Sequence, residues 1–141
     1  VSIECARMCP FGEVYAVEYK PEALDILEQN KTRFQTKNLQ IIAGRAEEQV
    51  QHLPVPDCVF LGGSSGAAKQ LVAGLRQLRQ PVRLVASAVT METQAELFPL
   101  LQELPQFEVV QLAVGCGKTV GNYHVLEGNH PVLLFSCMTK E

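Results

Sequence analysis

Short apolar segments that alternate with amphipathic helical segments constrain the fold of this chain more than any other feature. Near-continuous apolar strands are typical of parallel strands whose two faces are both covered by helices. The sequence therefore predicts an α/β fold with a doubly wound, mostly parallel sheet. The predicted strands cover Glu13–Glu18, Leu39–Ala43, Asp57–Leu61 and Arg83–Val89.

Helices between these strands are predicted from apolar residues with helical spacing. The first begins at Lys20-Pro21-Glu22, because proline is favoured at the first helical position. Thr90 is the expected N-cap of the last. The expected buried faces carry Ala23, Ile26, Leu27, Asn30 and Phe34, then Ala68, Leu71, Val72, Leu75 and Leu78, and finally Leu97, Phe98, Leu101 and Leu104.

The last third of the chain departs from this alternation. Phe107–Val114 and Val132–Ser136 have the composition of strands, and Gly115–His130 between them is glycine-rich and predicts a loop. Two strands without a helical connection pair most simply in the antiparallel sense. We expect this pair at one edge of the sheet.

Val1–Met8 has helical spacing, and no capping residue precedes it. A doubly wound sheet places a strand and a tight glycine-rich turn before such a helix. We therefore expect the first strand and its loop to lie upstream of Val1. Residues 1–141 are then a single, N-terminally truncated domain.

Composition argues against two classes of partner. The chain is 47% hydrophobic and 19% charged, with a formal net charge of −3. A nucleic-acid surface needs clustered lysine and arginine, whereas the basic residues here are scattered, so no nucleic-acid partner is expected. No apolar run approaches the roughly 20 residues of a membrane span, so no membrane partner is expected either.

The five cysteines are predicted to have structural roles. Their odd number and the lack of a paired motif fit a protein of the reducing cytoplasm. Cys58 and Cys137 lie within apolar strands and are predicted to be small core residues. Cys5 and Cys9 share a helical face, but no second pair of cysteines or histidines completes a zinc site. No metal is predicted.

Ligands of doubly wound sheets bind outside the carboxyl ends of the strands. Glu18 ends the first strand, and its two carboxylate oxygens suit the ribose diol of a nucleoside cofactor. Gly44-Arg45-Ala46 follows the next strand and allows close approach to an adenine ring. The segment Gly62-Gly63-Ser64-Ser65-Gly66 follows the third and leaves backbone N–H groups free to face a ligand.

Gly115-Cys116-Gly117-Lys118-Thr119 ends like a phosphate-binding loop. The motif needs a glycine where Leu112 stands, and no helical pattern follows Thr119. We reject that interpretation. The three histidines have no serine-nucleophile motif or paired acid nearby, and His124 draws most interest because the glycine-rich segment can bring it to the carboxyl ends of the strands.

Several strings together carry a family resemblance: VYAVEYKPEAL at Val14–Leu24, AGRAE at Ala43–Glu47, FLGGS at Phe60–Ser64, ASAVTMET at Ala86–Thr93 and GKTVGNYHVLEGNHPVLLFS at Gly117–Ser136. The sequence resembles the decarboxylating cobalt-precorrin-6B carbon-15 methyltransferases of cobalamin biosynthesis, within the class I S-adenosylmethionine methyltransferases. In some organisms that enzyme is the C-terminal half of a fused precorrin-6Y methyltransferase. The resemblance covers essentially the whole chain.

The resemblance implies S-adenosylmethionine as cofactor and a precorrin or cobalt-precorrin as substrate. It implies that Glu18 holds the ribose and that Arg45 and Ala46 lie against the adenine. It also implies that Gly62, Gly63 and Ser64 face the methyl-transfer cavity and the tetrapyrrole, with Gly62 and Gly63 as cofactor-binding residues and Ser64 as a substrate-binding residue. Lys118 and His124 are candidates for the rim carboxylates of the macrocycle.

The implied reaction needs no metal, because the sulfonium methyl is already electrophilic. A bridging carbon attacks it in line, and carbon dioxide leaves the ring C acetate with the macrocycle as electron sink. We assign no acid or base to that loss.

Alternatives are another class I small-molecule methyltransferase, a nicotinamide-dependent oxidoreductase whose ribose Glu18 suits equally, and an inactive fragment of a larger chain. A homo-oligomer, or a fusion or pairing with a carbon-5 methyltransferase, is also open.

Overall fold

A computed structural model describes residues 1–62 and 66–141. Gly63, Ser64 and Ser65 lie outside the described residues. The chain divides into two compact units, Val1–Pro54 and Val55–Glu141.

The first unit combines a two-stranded parallel sheet with helices. Glu18 lies opposite Ala43 at the carboxyl ends of these two strands. Ala6, Ala16 and Leu39 form the buried core of this unit. The elements are α1 (Ser2–Met8), β1 (Val14–Glu18), α2 (Pro21–Phe34), β2 (Leu39–Ala43) and α3 (Ala46–Gln49), followed by a 3-10 turn at Val50–His52.

Asn38, directly before β2, connects the start of this unit to its sheet. Its Nδ2 donates to the carbonyl oxygens of Ala6 at 3.0 Å, Cys9 at 2.8 Å and Gly12 at 3.0 Å. The backbone carbonyl of Asn38 accepts from the backbone N–H of Val14 at 2.9 Å. One side chain therefore holds the end of α1 and the turn that leads into β1.

The second unit contains a four-stranded mixed sheet in the order β3-β4-β8-β5. Strands β3 and β4 are parallel, and β8 is antiparallel to both β4 and β5. The predicted antiparallel pair is confirmed. The elements are β3 (Cys58–Leu61), α4 (Ala68–Gln77), β4 (Arg83–Ala88), α5 (Met91–Leu101), β5 (Glu108–Leu112), β6 (Gly115–Val120), β7 (Tyr123–Gly128) and β8 (Val132–Met138).

The predicted helices are present, and part of their expected faces is wrong. Thr90 caps α5 through its Oγ1, which accepts from the backbone N–H of Thr93 at 3.2 Å. The predicted inner face of α4 is buried, and so are Leu97 and Leu101 of α5. In contrast, none of the described residues of α2 is buried, because the sheet of its unit has only two strands. Ile26 is 58% exposed and Phe34 42%, and Phe98 of α5 is 48% exposed.

Two further predictions are wrong in the second unit. Gly115–His130 is largely an antiparallel hairpin of β6 and β7 rather than a loop, because Gly121, with φ +60°, makes a tight turn between two strand-forming segments. Cys58 is exposed, whereas Cys137 is buried as expected. Strand β6 also confirms that Gly115–Thr119 is no phosphate-binding loop, since Lys118 and Thr119 lie in a strand.

Candidate functional site

Glu18 lies at the carboxyl end of β1, where the sequence predicts a ribose-binding acid. Its Oε1 accepts from the backbone N–H groups of Tyr19 at 2.8 Å and Lys20 at 2.9 Å. Lys20 is the N-cap of α2 and has no side-chain cap of its own. The turn that follows Glu18 thus holds its carboxylate in one orientation. The second carboxylate oxygen remains available to accept a hydrogen bond from a ligand.

Arg45 and Ala46 follow β2 at the same edge of this small parallel sheet. Arg45 is the N-cap of α3 and Ala46 is its first residue. The Arg45 guanidinium lies 5.1 Å from the centre of the Tyr19 ring, and its Nε donates to Glu47 Oε1 at 3.0 Å. The ends of β1 and β2 therefore meet through an aromatic–cation contact beside Glu18.

Tyr19 is a residue that the sequence analysis missed. Its ring is 44% exposed and has the Lys20 ammonium 5.9 Å away in addition to Arg45. An aromatic residue directly after the strand-ending acid was the available sequence signal. Any part of the ring that these two cations leave uncovered can contact a planar ligand.

Glu47 keeps the charge of Arg45 balanced. Its pKa is lowered, chiefly because its own backbone N–H donates to the carboxylate and additionally because Arg45 lies beside it. At neutral pH Glu47 is ionised, and the two side chains form an exposed ion pair. Arg45 is therefore oriented over Tyr19 without adding net charge to this edge.

Gly44 fixes the path of the chain between β2 and α3. Its φ is +142°, and an added Cβ would lie 2.8 Å from Gln49 Nε2. Its backbone N–H donates to the carbonyl oxygen of Glu18 at 2.9 Å. Glycine is favoured here by the backbone conformation, and a larger residue would also displace the end of the Gln49 side chain.

In the second unit, Gly62 follows β3 at the carboxyl edge of the β3–β4 pair and is exposed. Ser87 of β4 contacts its carbonyl oxygen at 3.3 Å. An added Cβ on Gly62 would lie 3.3 Å from the Phe60 ring. The predicted roles of Gly63 and Ser64 concern residues outside the described part of the chain.

The β6–β7 hairpin leaves the sheet at this same edge. Strand β8 runs antiparallel to β4, so Leu133 lies beside Ala88, and Val132 lies opposite Leu112 of β5. The segments that enter and leave the hairpin therefore start where the carboxyl end of β4 lies. His124 itself lies near the other end of the hairpin, where it pairs with Thr119 next to the turn. Its role at the carboxyl ends of the strands stays a prediction.

Lys118 and His124 are not brought together. Lys118 pairs with Val125 and His124 with Thr119, so the two side chains point to opposite faces of the hairpin. Lys118 Nζ already donates to both carboxylate oxygens of Glu127 at 3.0 Å. His124 therefore lies on the hairpin face opposite to the ion pair of Lys118 with Glu127.

Two broader properties complete the description. Within residues 1–62 and 66–141, no three histidine, cysteine, aspartate or glutamate side chains are grouped so as to hold a metal ion. Among the helices of those same ranges, none combines the length and the apolar character needed to cross a membrane.

Comparisons with known proteins agree with one another. The family model described as "Precorrin methyltransferase domain" matches residues 1–139. The chain is similar to the "Cobalt-precorrin-6B C(15)-methyltransferase (decarboxylating)" of Salmonella typhimurium strain LT2. The identity is 31% over 144 residues, which span 100% of this chain and 74% of that protein.

A crystal structure of precorrin-6y C5,15-methyltransferase from Geobacter metallireducens GS-15 has a similar fold. Its TM-score is 0.83 at 30% identity, with 100% of this chain and 73% of that chain covered. A "Precorrin-6Y C(5,15)-methyltransferase [decarboxylating]" of a Sinorhizobium species is 31% identical over 97 residues. That match covers 69% of this chain and 24% of that protein.

Proposed function

This chain is a member of the precorrin methyltransferase family, and we propose that it methylates carbon 15 of a precorrin or cobalt-precorrin and decarboxylates its ring C acetate. The observation that carries the proposal is the family match over residues 1–139, which spans both compact units. That span also supports one methyltransferase domain. The reaction belongs to cobalamin biosynthesis, and cysteine usage supports a cytoplasmic enzyme.

S-adenosylmethionine is the proposed methyl donor, and the residues of the first unit fit its nucleoside part. Glu18 presents a carboxylate that is already fixed by two backbone N–H groups. Tyr19 presents a half-exposed ring next to it. An oriented carboxylate can accept from the ribose hydroxyls, and an aromatic ring beside it can stack on the purine, so the two together suit a ribose joined to a purine.

When bound, S-adenosylmethionine supplies an electrophilic methyl group. Glu18 would hold the ribose, and Arg45, Ala46 and Tyr19 would border the adenine. The ion pair between Arg45 and Glu47 adds no net charge to this edge. The main task of these residues is to position the donor, since holding two reactants in a reactive geometry lowers the barrier without any proton transfer.

Substrate contacts are proposed for the second unit. Ser64 is one of them, and it follows Gly62 and Gly63, which are proposed to contact the cofactor at the carboxyl edge. His124 is the better candidate for a rim carboxylate, because Lys118 already pairs with Glu127. Lys118 would have to exchange that partner for the substrate.

A functional partner is proposed as well. The Sinorhizobium relative is a C(5,15)-methyltransferase of which the match covers only 24%. We propose that this chain acts together with a carbon-5 methyltransferase activity, on the same polypeptide or on another.

The test is a reaction of the purified chain with cobalt-precorrin-6B and methyl-labelled S-adenosylmethionine. We expect a product that has gained one labelled methyl group and lost one carboxyl group as carbon dioxide, measured by mass spectrometry. A melting curve with each cofactor separates the oxidoreductase alternative, because a ligand stabilises the fold that binds it. Stabilisation by NAD and not by S-adenosylmethionine would contradict the proposal.

A further inference from the structure

The parallel ladder between β3 and β4 ends immediately before the glycine segment. Leu61 pairs with Ala86 in the last pair of that ladder, and Gly62 follows as a bend outside the strand. Glycine has more backbone freedom than any other residue. A fixed position for Gly62 therefore needs a restraint other than the ladder.

Ser87 of β4 provides such a restraint. Its Oγ donates toward the carbonyl oxygens of Gly62 at 3.3 Å and of Leu61 at 3.5 Å. A hydroxyl carries one hydrogen, so the two carbonyls share a single donor, with the shorter contact at Gly62. The side chain thus continues the connection between the two strands past the point where backbone pairing stops.

The backbone of Ser87 is held independently of β3. Ser87 pairs with Leu134 in the antiparallel ladder of β4 and β8, and its neighbours Ala86 and Ala88 are buried in the core. Side chains alternate along a strand, so Ser87 points to the sheet face opposite to these alanines. A rigid strand therefore presents the hydroxyl to the freer end of β3.

We propose that Ser87 is a positioning residue for methyl transfer, which acts through Gly62 by holding its carbonyl at the carboxyl edge. The inference rests on the proposed function, in which Gly62 faces the methyl-transfer cavity. A displacement of groups around the reacting atoms lowers the rate even where binding persists. Loss of the hydroxyl should therefore reduce turnover more than affinity.

Three variants test this role. Ser87→Ala removes the hydroxyl, and Ser87→Thr keeps it on a side chain that suits a strand. Ser136→Ala is the matched control, because Ser136 of β8 pairs with Val85 and so lies on the same face as Ser87. Each variant is assayed for kcat and KM with cobalt-precorrin-6B, for S-adenosylmethionine affinity by calorimetry, and for melting temperature.

We expect Ser87→Ala to lower kcat about ten-fold, less than the roughly hundred-fold loss that a 1 Å misplacement causes. Its KM, cofactor affinity and melting temperature should stay close to those of the wild type. Ser87→Thr and Ser136→Ala should keep the wild-type kcat. Hydrogen exchange of the Leu61–Gly62 backbone should accelerate in Ser87→Ala alone.

Several results would overturn the inference. They are an unchanged kcat in Ser87→Ala, an equal loss of kcat in Ser136→Ala, a loss that Ser87→Thr does not restore, or a loss explained by a lower melting temperature. A wild-type chain that transfers no methyl group would instead contradict the proposed function. The exchange measurement then still decides whether Ser87 restrains Gly62.

Discussion

Glu18→Gln separates the hydrogen bonds of Glu18 with its own turn from its proposed hydrogen bond with the cofactor ribose. In the structure, Oε1 accepts from the N–H groups of Tyr19 and Lys20 at 2.8 and 2.9 Å. A glutamine oxygen can keep both of these bonds, but its NH2 group cannot accept from a ribose hydroxyl. Glu18→Gln should therefore fold like the wild type and bind S-adenosylmethionine more weakly.

The expected magnitudes follow from the bonds that are lost. Hydrogen bonds to a charged group contribute about 1.5–3 kcal/mol, so the Kd for S-adenosylmethionine should rise roughly 10- to 100-fold in Glu18→Gln and Glu18→Ala. Glu18→Ala also removes the two bonds to the turn and should lower the free energy of unfolding by about 1 kcal/mol.

Calorimetry with S-adenosylmethionine and urea denaturation measure the two effects separately. Glu22→Ala is the control, because Glu22 lies in the first turn of α2 and its loss removes the same charge. Wild-type affinity in Glu18→Gln would refute the ribose role of Glu18. Equal losses in Glu22→Ala would show that charge near this helix, rather than the Glu18 contacts, governs binding.

Three other predictions concern stability and accessibility. Asn38→Ala should lower the free energy of unfolding by about 2–3 kcal/mol, because three carbonyls lose their donor; an unchanged urea midpoint would contradict this. Gly44→Ala should lower the free energy of unfolding by about 1–3 kcal/mol, owing to its positive φ and the nearby Gln49. Gly74→Ala in α4 should not destabilise the fold, because an added Cβ there meets nothing within 4 Å in the described chain. Equal melting temperatures for the two variants would argue against backbone strain at Gly44. Burial raises the pKa of Cys137, so its stabilising contribution is present below the unfolded pKa of about 8.5 and is lost as the pH rises through the folded pKa. A thiol reagent at pH 8 should label the folded protein at its exposed cysteines, which are Cys5, Cys9, Cys58 and Cys116. It should label the buried Cys137 only after unfolding.

The sequence alone determined the fold class and predicted the first candidate residue of the site. Apolar strands followed by helical spacing placed β1 to β4 to within a residue or two, because both patterns depend on neighbours in the chain. The position of Glu18 could be predicted for the same reason, since Glu18 ends a strand and precedes a proline that starts a helix.

The tertiary structure decided which residues meet. The ion pair of Lys118 with Glu127 depends on the register of the β6–β7 hairpin. The glycines of this segment had led to the prediction of a loop. The contact of Tyr19 with Arg45 depends on the pairing of β1 with β2, and that of Ser87 with Gly62 on the pairing of β3 with β4. Each of these contacts joins residues of two different strands or of the turns that follow them. The spacing of residues within one segment carries no information about the partner that sheet pairing will bring to it.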